Sequence, residues 1–277
     1  MLLLTLKISI GALILAIGMN ATIDDILHLW RRPLSLIKAI AAMYVVIPVV
    51  AVLMALAFDL PTRTELAFVI LSICAGAPLL PKKLIKFGGD PDYVFSLIVT
   101  TSLLAIVTVP ASLHILAGII PVDATGVTPA DVARVILMSF LVPLGIGMLL
   151  RLFFPKVVEK AGDFILHIAS IAFGVCALAV LVAGFHLVFD VGMKSIVAFA
   201  LFAAAAILTG HLLGGPAPST RTALAIACTS RHVGLALLIA ANAPGHHALS
   251  LVIAYLLASA VVSVLYIFWM KRLSGQP

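Results

Sequence analysis

Two short segments of this chain set positive charge inside otherwise apolar surroundings. The first runs Ala75-Gly76-Ala77-Pro78-Leu79-Leu80-Pro81-Lys82-Lys83, and the second Ala227-Cys228-Thr229-Ser230-Arg231-His232. Neither contains a carboxylate, so the chemistry on offer is recognition of an anion. Guanidinium and ammonium groups bind oxyanions through charge-assisted hydrogen bonds. Thr229 and Ser230 place hydroxyls beside Arg231 and His232. Such a group accepts carboxylates, sulfonates and phosphates alike.

Each of these residues also has a plainer reading. Lys82 and Lys83 can snorkel to a membrane surface, although adjacent residues point about 100° apart on a helix and do not easily share one exit. His232 can be a hydrogen-bonded core histidine. Arg231 has less freedom, because it does not deprotonate and sits near the centre of its apolar segment. All eleven acidic residues fall in loops or at the ends of apolar segments. The arginine must therefore be offset by a bound anion, by water and helix C-terminal carbonyls, or by a loop acid such as Asp90 or Asp92 folded inward.

The elements that hold these groups are membrane helices. Apolar residues make up 64% of the chain and charged residues 10%, with a mean hydropathy of +1.28, far outside the range of soluble domains. The apolar runs are long and continuous, which suits helices and not the alternating strands of a barrel. At ~20 residues per crossing the chain reads as an all-α polytopic protein with about nine spans. These cover residues 3–20, 35–57, 65–87, 92–117, 130–153, 162–187, 193–213, 220–241 and 246–270. The stretch from Met1 to Met19 lacks a basic n-region and an A-x-A cleavage site, so it reads as the first span. No connecting segment is long enough for a soluble domain, and 1–277 reads as one membrane unit.

The net charge of +6 follows membrane orientation and points to no nucleic-acid partner. Arg31, Arg32, Lys86, Arg151, Lys156, Lys160, Arg221, Lys271 and Arg272 share one side of a nine-span arrangement, which is then cytoplasmic. The N-terminus is expected outside and the C-terminus inside, in a bacterial-type inner membrane. Pro78 and Pro81 each remove a backbone donor in mid-span, so the helix is expected to break between them, with Lys82 and Lys83 opening the second half. Pro48, Pro110 and Pro143 are expected to kink their helices, and Gly210-x-x-x-Gly214 to allow close helix packing.

Catalytic and metal readings find little support. There is no G-x-S-x-G, H-E-x-x-H, intramembrane aspartate pair or phosphate-cradling glycine loop, so the chain does not read as an enzyme. His246-His247 has no third ligand in reach of the sequence, and the three cysteines have no paired spacing. No cofactor is expected.

The run Ile73-Cys74-Ala75-Gly76-Ala77-Pro78 through Gly89-Asp90, continuing to Leu103-Leu104 and Val109-Pro110, resembles the signature region of the bile acid:sodium symporter family. So do Gly18-Met19 with Asp24, Arg32-Pro33 and Ile47-Pro48, and, in the second half, Ala223-Leu224-Ala225-Ile226 leading to Gly234-Leu235-Ala236. The resemblance is to bacterial members of the bile/arsenite/riboflavin transporter superfamily. It implies two inverted repeats, here 1–120 and 128–273, and two broken helices crossing at midplane. Core-type spans would cover 35–117 and 193–270, and panel-type spans 3–20 and 130–187. It also implies secondary active transport of an organic anion by alternating access. Relative to ten-span bacterial members the first span is missing.

The sodium ligands of the family are replaced. Leu80-Pro81 stands where the family commonly has Ser-Asn, Val94 and Ile98 where hydroxyls are expected, and Met43 in place of a glutamine. Ala227 and Arg231-His232 replace the second sodium motif. The reading is thus a transporter of a small organic anion held by Arg231 and one of Lys82 or Lys83, with Thr229, Ser230 and His232 beside them. Sodium is doubtful as coupling ion, and a proton on Lys82, Lys83 or His232 is an alternative. The competing readings are a sodium symporter using backbone ligands and a membrane anion sensor that does not transport.

Overall fold

The computed structural model describes residues 2–58, 60–75, 89–116, 128–189, 191–232, 236 and 248–274. Pro78, Leu80, Pro81, Lys82, Lys83 and the His246-His247 pair lie outside the described residues. Within them every regular element is helical, and no strand occurs.

The helices are α1 (Leu2–Asn20), α2 (Ile23–Leu27), α3 (Pro33–Ala57), α4 (Thr62–Ile73) and α5 (Pro91–Leu116). They continue with α6 (Pro129–Ile136, Leu137–Leu141 and Val142–Phe153), α7 (Pro155–Phe189), α8 (Met193–Leu213), α9 (Pro218–Thr229) and α10 (Ala248–Ser274). Among the described residues, five stretches are long and apolar enough to cross a membrane: Pro33–Ala57, Pro91–Ile115, Ala130–Phe153, Met193–Leu213 and Ser250–Arg272. They correspond to five of the expected spans. The expected spans 65–87 and 220–241 begin as α4 and α9, but those helices stop at Ile73 and Thr229.

Local chemistry explains where the helices start. Proline leads α3, α5, α6, α7 and α9, at the one helical position where a missing N–H costs nothing. Thr22 and Thr128 cap α2 and α6, each accepting from the amide of an aspartate three residues on while that carboxylate accepts the threonine N–H.

Interior prolines are handled in two ways. In α3 a π turn, Ala42–Val46, immediately precedes Ile47-Pro48, and in α6 a second one, Leu137–Leu141, precedes Val142-Pro143. Widening the turn removes the clash between the proline ring and the preceding carbonyl. Around Pro110, by contrast, α5 remains α-helical. The expected distortion is thus local turn-widening at Pro48 and Pro143 and leaves no break in the α-helical pattern at Pro110.

Leu56, Val107, Leu152, Val182, Leu212 and Leu265 are all exposed, at 62% or more. Large apolar side chains facing outward along helices that also pack an apolar interior mark a lipid-solvated protein. Inside, α1 packs along α6 and α7, while α8 packs along α9 and α10. The helix pair α3 and α4 joins the second group through α8 and α10, and α5 meets both α4 and α9.

Glycine permits the closest of these approaches. A Cβ on Gly18 would collide with the backbone of Leu144, and one on Gly147 with the backbone of Leu15 and Met19, so α1 and α6 touch main chain to main chain. On the other side a Cβ on Gly210 would lie 2.5 Å from Cα of Ala225, and one on Gly214 2.5 Å from Cα of Arg221. The Gly210-x-x-x-Gly214 pattern therefore seats α8 against α9.

Candidate functional site

The last turn of α4 presents carbonyl oxygens that have no partner in their own helix. At Cys74 the backbone leaves helical geometry (φ −81°, ψ 61°), its N–H reaching back to Ile70 at 3.3 Å, and Ala75 N–H donates to Ile73 at 3.0 Å. The helix α9 ends in the same manner: Ser230 is extended (φ −88°, ψ 130°), and its N–H donates to Ile226 at 3.0 Å. Both ends are buried, so the remaining carbonyls need protein partners.

They find them in each other and in α10. His232 N–H donates to the Cys74 carbonyl at 2.9 Å, joining the two non-helical segments. Nη1 of Arg231 donates to the Ser72 carbonyl at 3.4 Å. The Tyr255 hydroxyl donates to the carbonyl of Thr229, and the Thr229 hydroxyl to Ala203 at 3.4 Å. Irregular backbone in the interior is thereby tied down at Cys74, Thr229 and His232.

Arg231 is 2% exposed, with its Cζ 6.0 Å from the centre of the Phe202 ring. Phe202 belongs to a group of buried rings that braces the place where the ends of α4 and α9 meet. Phe68 of α4 stacks on Phe199 of α8 at 5.0 Å, and Tyr255 of α10 meets both Phe199 and Phe202 edge-on or tilted at about 6 Å between centres. Three helices thus fix the floor beneath the guanidinium.

The charge on Arg231 has no acidic partner among the described residues. The ion pairs found there are Arg31 with Asp24 at 2.7 Å and His28 with Asp92 at 3.9 Å, both toward the surface. Asp90 instead accepts from the N–H groups of Asp92 and Tyr93, capping α5. Neither loop acid is folded onto the arginine. The compensation described comes from the C-terminal end of α4, where the helix dipole favours a cation, and from the neighbouring Phe202 ring and Tyr255 hydroxyl. Nε and Nη2, which together form the side-on edge of the guanidinium, carry no hydrogen bond among the described residues.

Of the residues expected at the site, Thr229, Arg231 and His232 are buried and Ser230 is half-buried, all within the α9 break. Lys82, Lys83, Pro78 and Pro81 fall outside the described residues, yet α4 has already stopped at Ile73, ahead of both prolines. Sequence reasoning missed Ser72, Phe202 and Tyr255. A backbone carbonyl leaves no side-chain signature, but Tyr255 was the more visible of the three, being a phenol within the apolar helix α10.

Sodium does not fit the side chains at the expected ligand positions that are described. Met43, Val94, Ile98 and Ala227 are all buried and apolar, whereas a hard cation takes oxygen ligands. No group of three histidine, cysteine or acidic residues gathers among the described residues either.

Two helices that stop in the interior of a lipid-solvated helical protein and meet there give the irregular backbone at membrane depth that membrane transporters use. The Sodium Bile acid symporter family profile matches residues 7–191, and the chain belongs to that family. It is 28% identical over 216 residues to the probable sodium/metabolite cotransporter BASS6 of Arabidopsis thaliana, covering 75% of this chain and 51% of that protein. It is 29% identical over 171 residues to the probable sodium/metabolite cotransporter BASS3 of Oryza sativa, covering 61% and 39%. A bacterial relative, the sodium-dependent transporter YocS of Bacillus subtilis, is 27% identical over 158 residues, covering 56% and 47%. These matches span about half or less of each relative's own length.

Proposed function

We propose that this protein carries a small organic anion across a membrane by alternating access, and does so without the sodium sites of its family. The observation that supports this most directly is Arg231, which lies buried where two interrupted helices meet, faces no carboxylate among the described residues and keeps one edge free of hydrogen bonds. A guanidinium edge of that kind matches two oxygens of a planar oxyanion. The names of the relatives, sodium/metabolite and sodium/bile acid cotransporters, support a carrier role. The buried apolar side chains at Met43, Val94, Ile98 and Ala227 argue against their coupling ion.

In this reading α1, α6 and α7 form the panel, and α3, α4, α5, α8, α9 and α10 form the core. The packing of α1 on α6 and α7 and of α8 on α9 and α10 supports this division, with contacts of α5 with α6 and of α7 with α10 joining the two. Nine spans place the N-terminus outside and the C-terminus in the cytoplasm. One of Lys82 and Lys83 joins Arg231 in holding the anion.

Uptake of radiolabelled carboxylates and sulfonates into proteoliposomes tests the proposal. Transport is expected to persist when sodium is replaced by choline, and to fall at least tenfold in Arg231→Ala. Uptake that is strictly sodium-driven and indifferent to Arg231→Ala would overturn it.

A further inference from the structure

We infer that Arg231 is a tethered cation, its guanidinium seated on the carbonyl end of α4 where a mobile coupling ion would otherwise be needed. This deepens the carrier reading given above and rests on it. Three features of the crossing converge on the assignment.

The first is electrostatic. The final carbonyls of a helix carry roughly half a negative elementary charge between them, and those of α4 end in a buried interior where no carboxylate pairs with Arg231 among the described residues. A positive group placed there is stabilised without any acidic residue. Nη1 of Arg231 occupies that position, on the Ser72 carbonyl.

The second is the accounting of backbone acceptors. The Ile70 carbonyl takes the N–H of Cys74, the Ile73 carbonyl that of Ala75, and the Cys74 carbonyl that of His232. Ser72 is left with the guanidinium. On the other helix the Thr229 carbonyl is taken by Tyr255. Peptide donors and a neutral hydroxyl satisfy these four carbonyls, and among the described residues the charged donor falls on Ser72.

The third is geometric. Arg231 comes from the extended residues that follow α9, yet its side chain ends on α4, so the cation bridges the two interruptions. Nη1 is spent on protein, while Nε and Nη2 lie along the other edge. One guanidinium can therefore serve as fixed cation on one side and as anion receptor on the other. In a symporter those roles belong to separate partners, and one of them leaves with every turnover. Here the cation is part of the chain.

The test is chemical rescue of the purified full-length protein, read as melting temperature in detergent. Arg231→Ala is expected to melt at least about 5 °C lower than the parent, the scale of one or two kcal/mol for a chain of this size. Millimolar methylguanidinium is expected to return at least half of the loss, while sodium, choline and methylammonium at equal concentration return none. Arg231→Gln, which keeps hydrogen-bond donors without charge, is expected to show the same pattern and serves if the alanine variant does not fold. Absence of guanidinium rescue in both variants overturns the inference, as does a sodium-dependent rise in the melting temperature of the parent protein. The readout needs no substrate. Lost rescue alongside sodium-independent uptake sinks the tethered cation alone, whereas sodium-driven uptake sinks the carrier proposal beneath it.

Discussion

The N–H of His232 points at the carbonyl oxygen of Cys74, 2.9 Å away, so the segments that follow α4 and α9 are bonded main chain to main chain where each stops being helical. Residues 158 positions apart in the chain are held by groups that every amino acid except proline carries. Side-chain substitution leaves such a bond in place.

That distinction can be measured at a single position. His232→Ala keeps the donor, while His232→Pro removes it and strands the buried Cys74 carbonyl, at a cost of about 1–3 kcal/mol. The proline variant is expected to melt several degrees below the alanine variant. Equal melting temperatures would mean that the bond contributes nothing.

Tyr255 offers a complementary case. Its hydroxyl is the donor to the Thr229 carbonyl at the end of α9, so Tyr255→Phe removes one oxygen and leaves the ring packing. A loss of about 1–3 kcal/mol is expected, with faster amide hydrogen exchange confined to the end of α9. Unchanged exchange in that segment would show that the carbonyl has another partner.

The glycine at the α8 and α9 contact sets a steric limit. In Gly210→Ala the new methyl would meet main-chain atoms of Leu224 and Ala225 at 2.5–2.7 Å, which only a shift of the helices relieves. Overpacking of this kind costs about 1–3 kcal/mol. Gly174→Ala, where nothing lies within 4 Å of the new carbon, is expected to leave the melting temperature unchanged or slightly raised. A tolerant Gly210 would contradict the close approach.

Neighbouring lysines separate the two readings of the first charged segment. If one of them holds the anion with Arg231, then Lys82→Gln and Lys83→Gln are expected to differ, one raising the KM for uptake at least tenfold and the other staying near the parent value. Two neutral substitutions would assign both lysines to the membrane surface.

Much of this architecture was legible in the sequence because lipid imposes its own length on apolar stretches. The spans at 35–57, 130–153 and 193–213 match helices in the structure to within two residues at either end. Arg231 marked the segment where α9 ends at Thr229, since a charge at that depth demands special surroundings, although the expected span runs from 220 to 241. The start of the first interruption was not legible. Proline is a local signal, and it pointed to Pro78 and Pro81. The helix ends at Ile73 instead, where Cys74 is held by His232, a partner that no local pattern encodes. For Arg231 the sequence leaves three sources of compensation open: of these, the structure describes helix C-terminal carbonyls, through Ser72, while the loop acids Asp90 and Asp92 are engaged elsewhere.

A guanidinium fastened to its own backbone also decides what the membrane voltage does. A sodium symporter can move an anion with enough cations to cancel or reverse its charge, and so drive it into a negatively polarised cell. With the cation anchored at Arg231, the cargo's own charge is the one that is translocated. An interior-negative potential of 100 mV then opposes entry of a monovalent anion by about 2.3 kcal/mol, roughly a 50-fold concentration ratio. For the proposed carrier working without a coupled ion the favoured direction is outward, and a potassium diffusion potential imposed with valinomycin is expected to accelerate efflux when the interior is negative and to slow it when the sign is reversed.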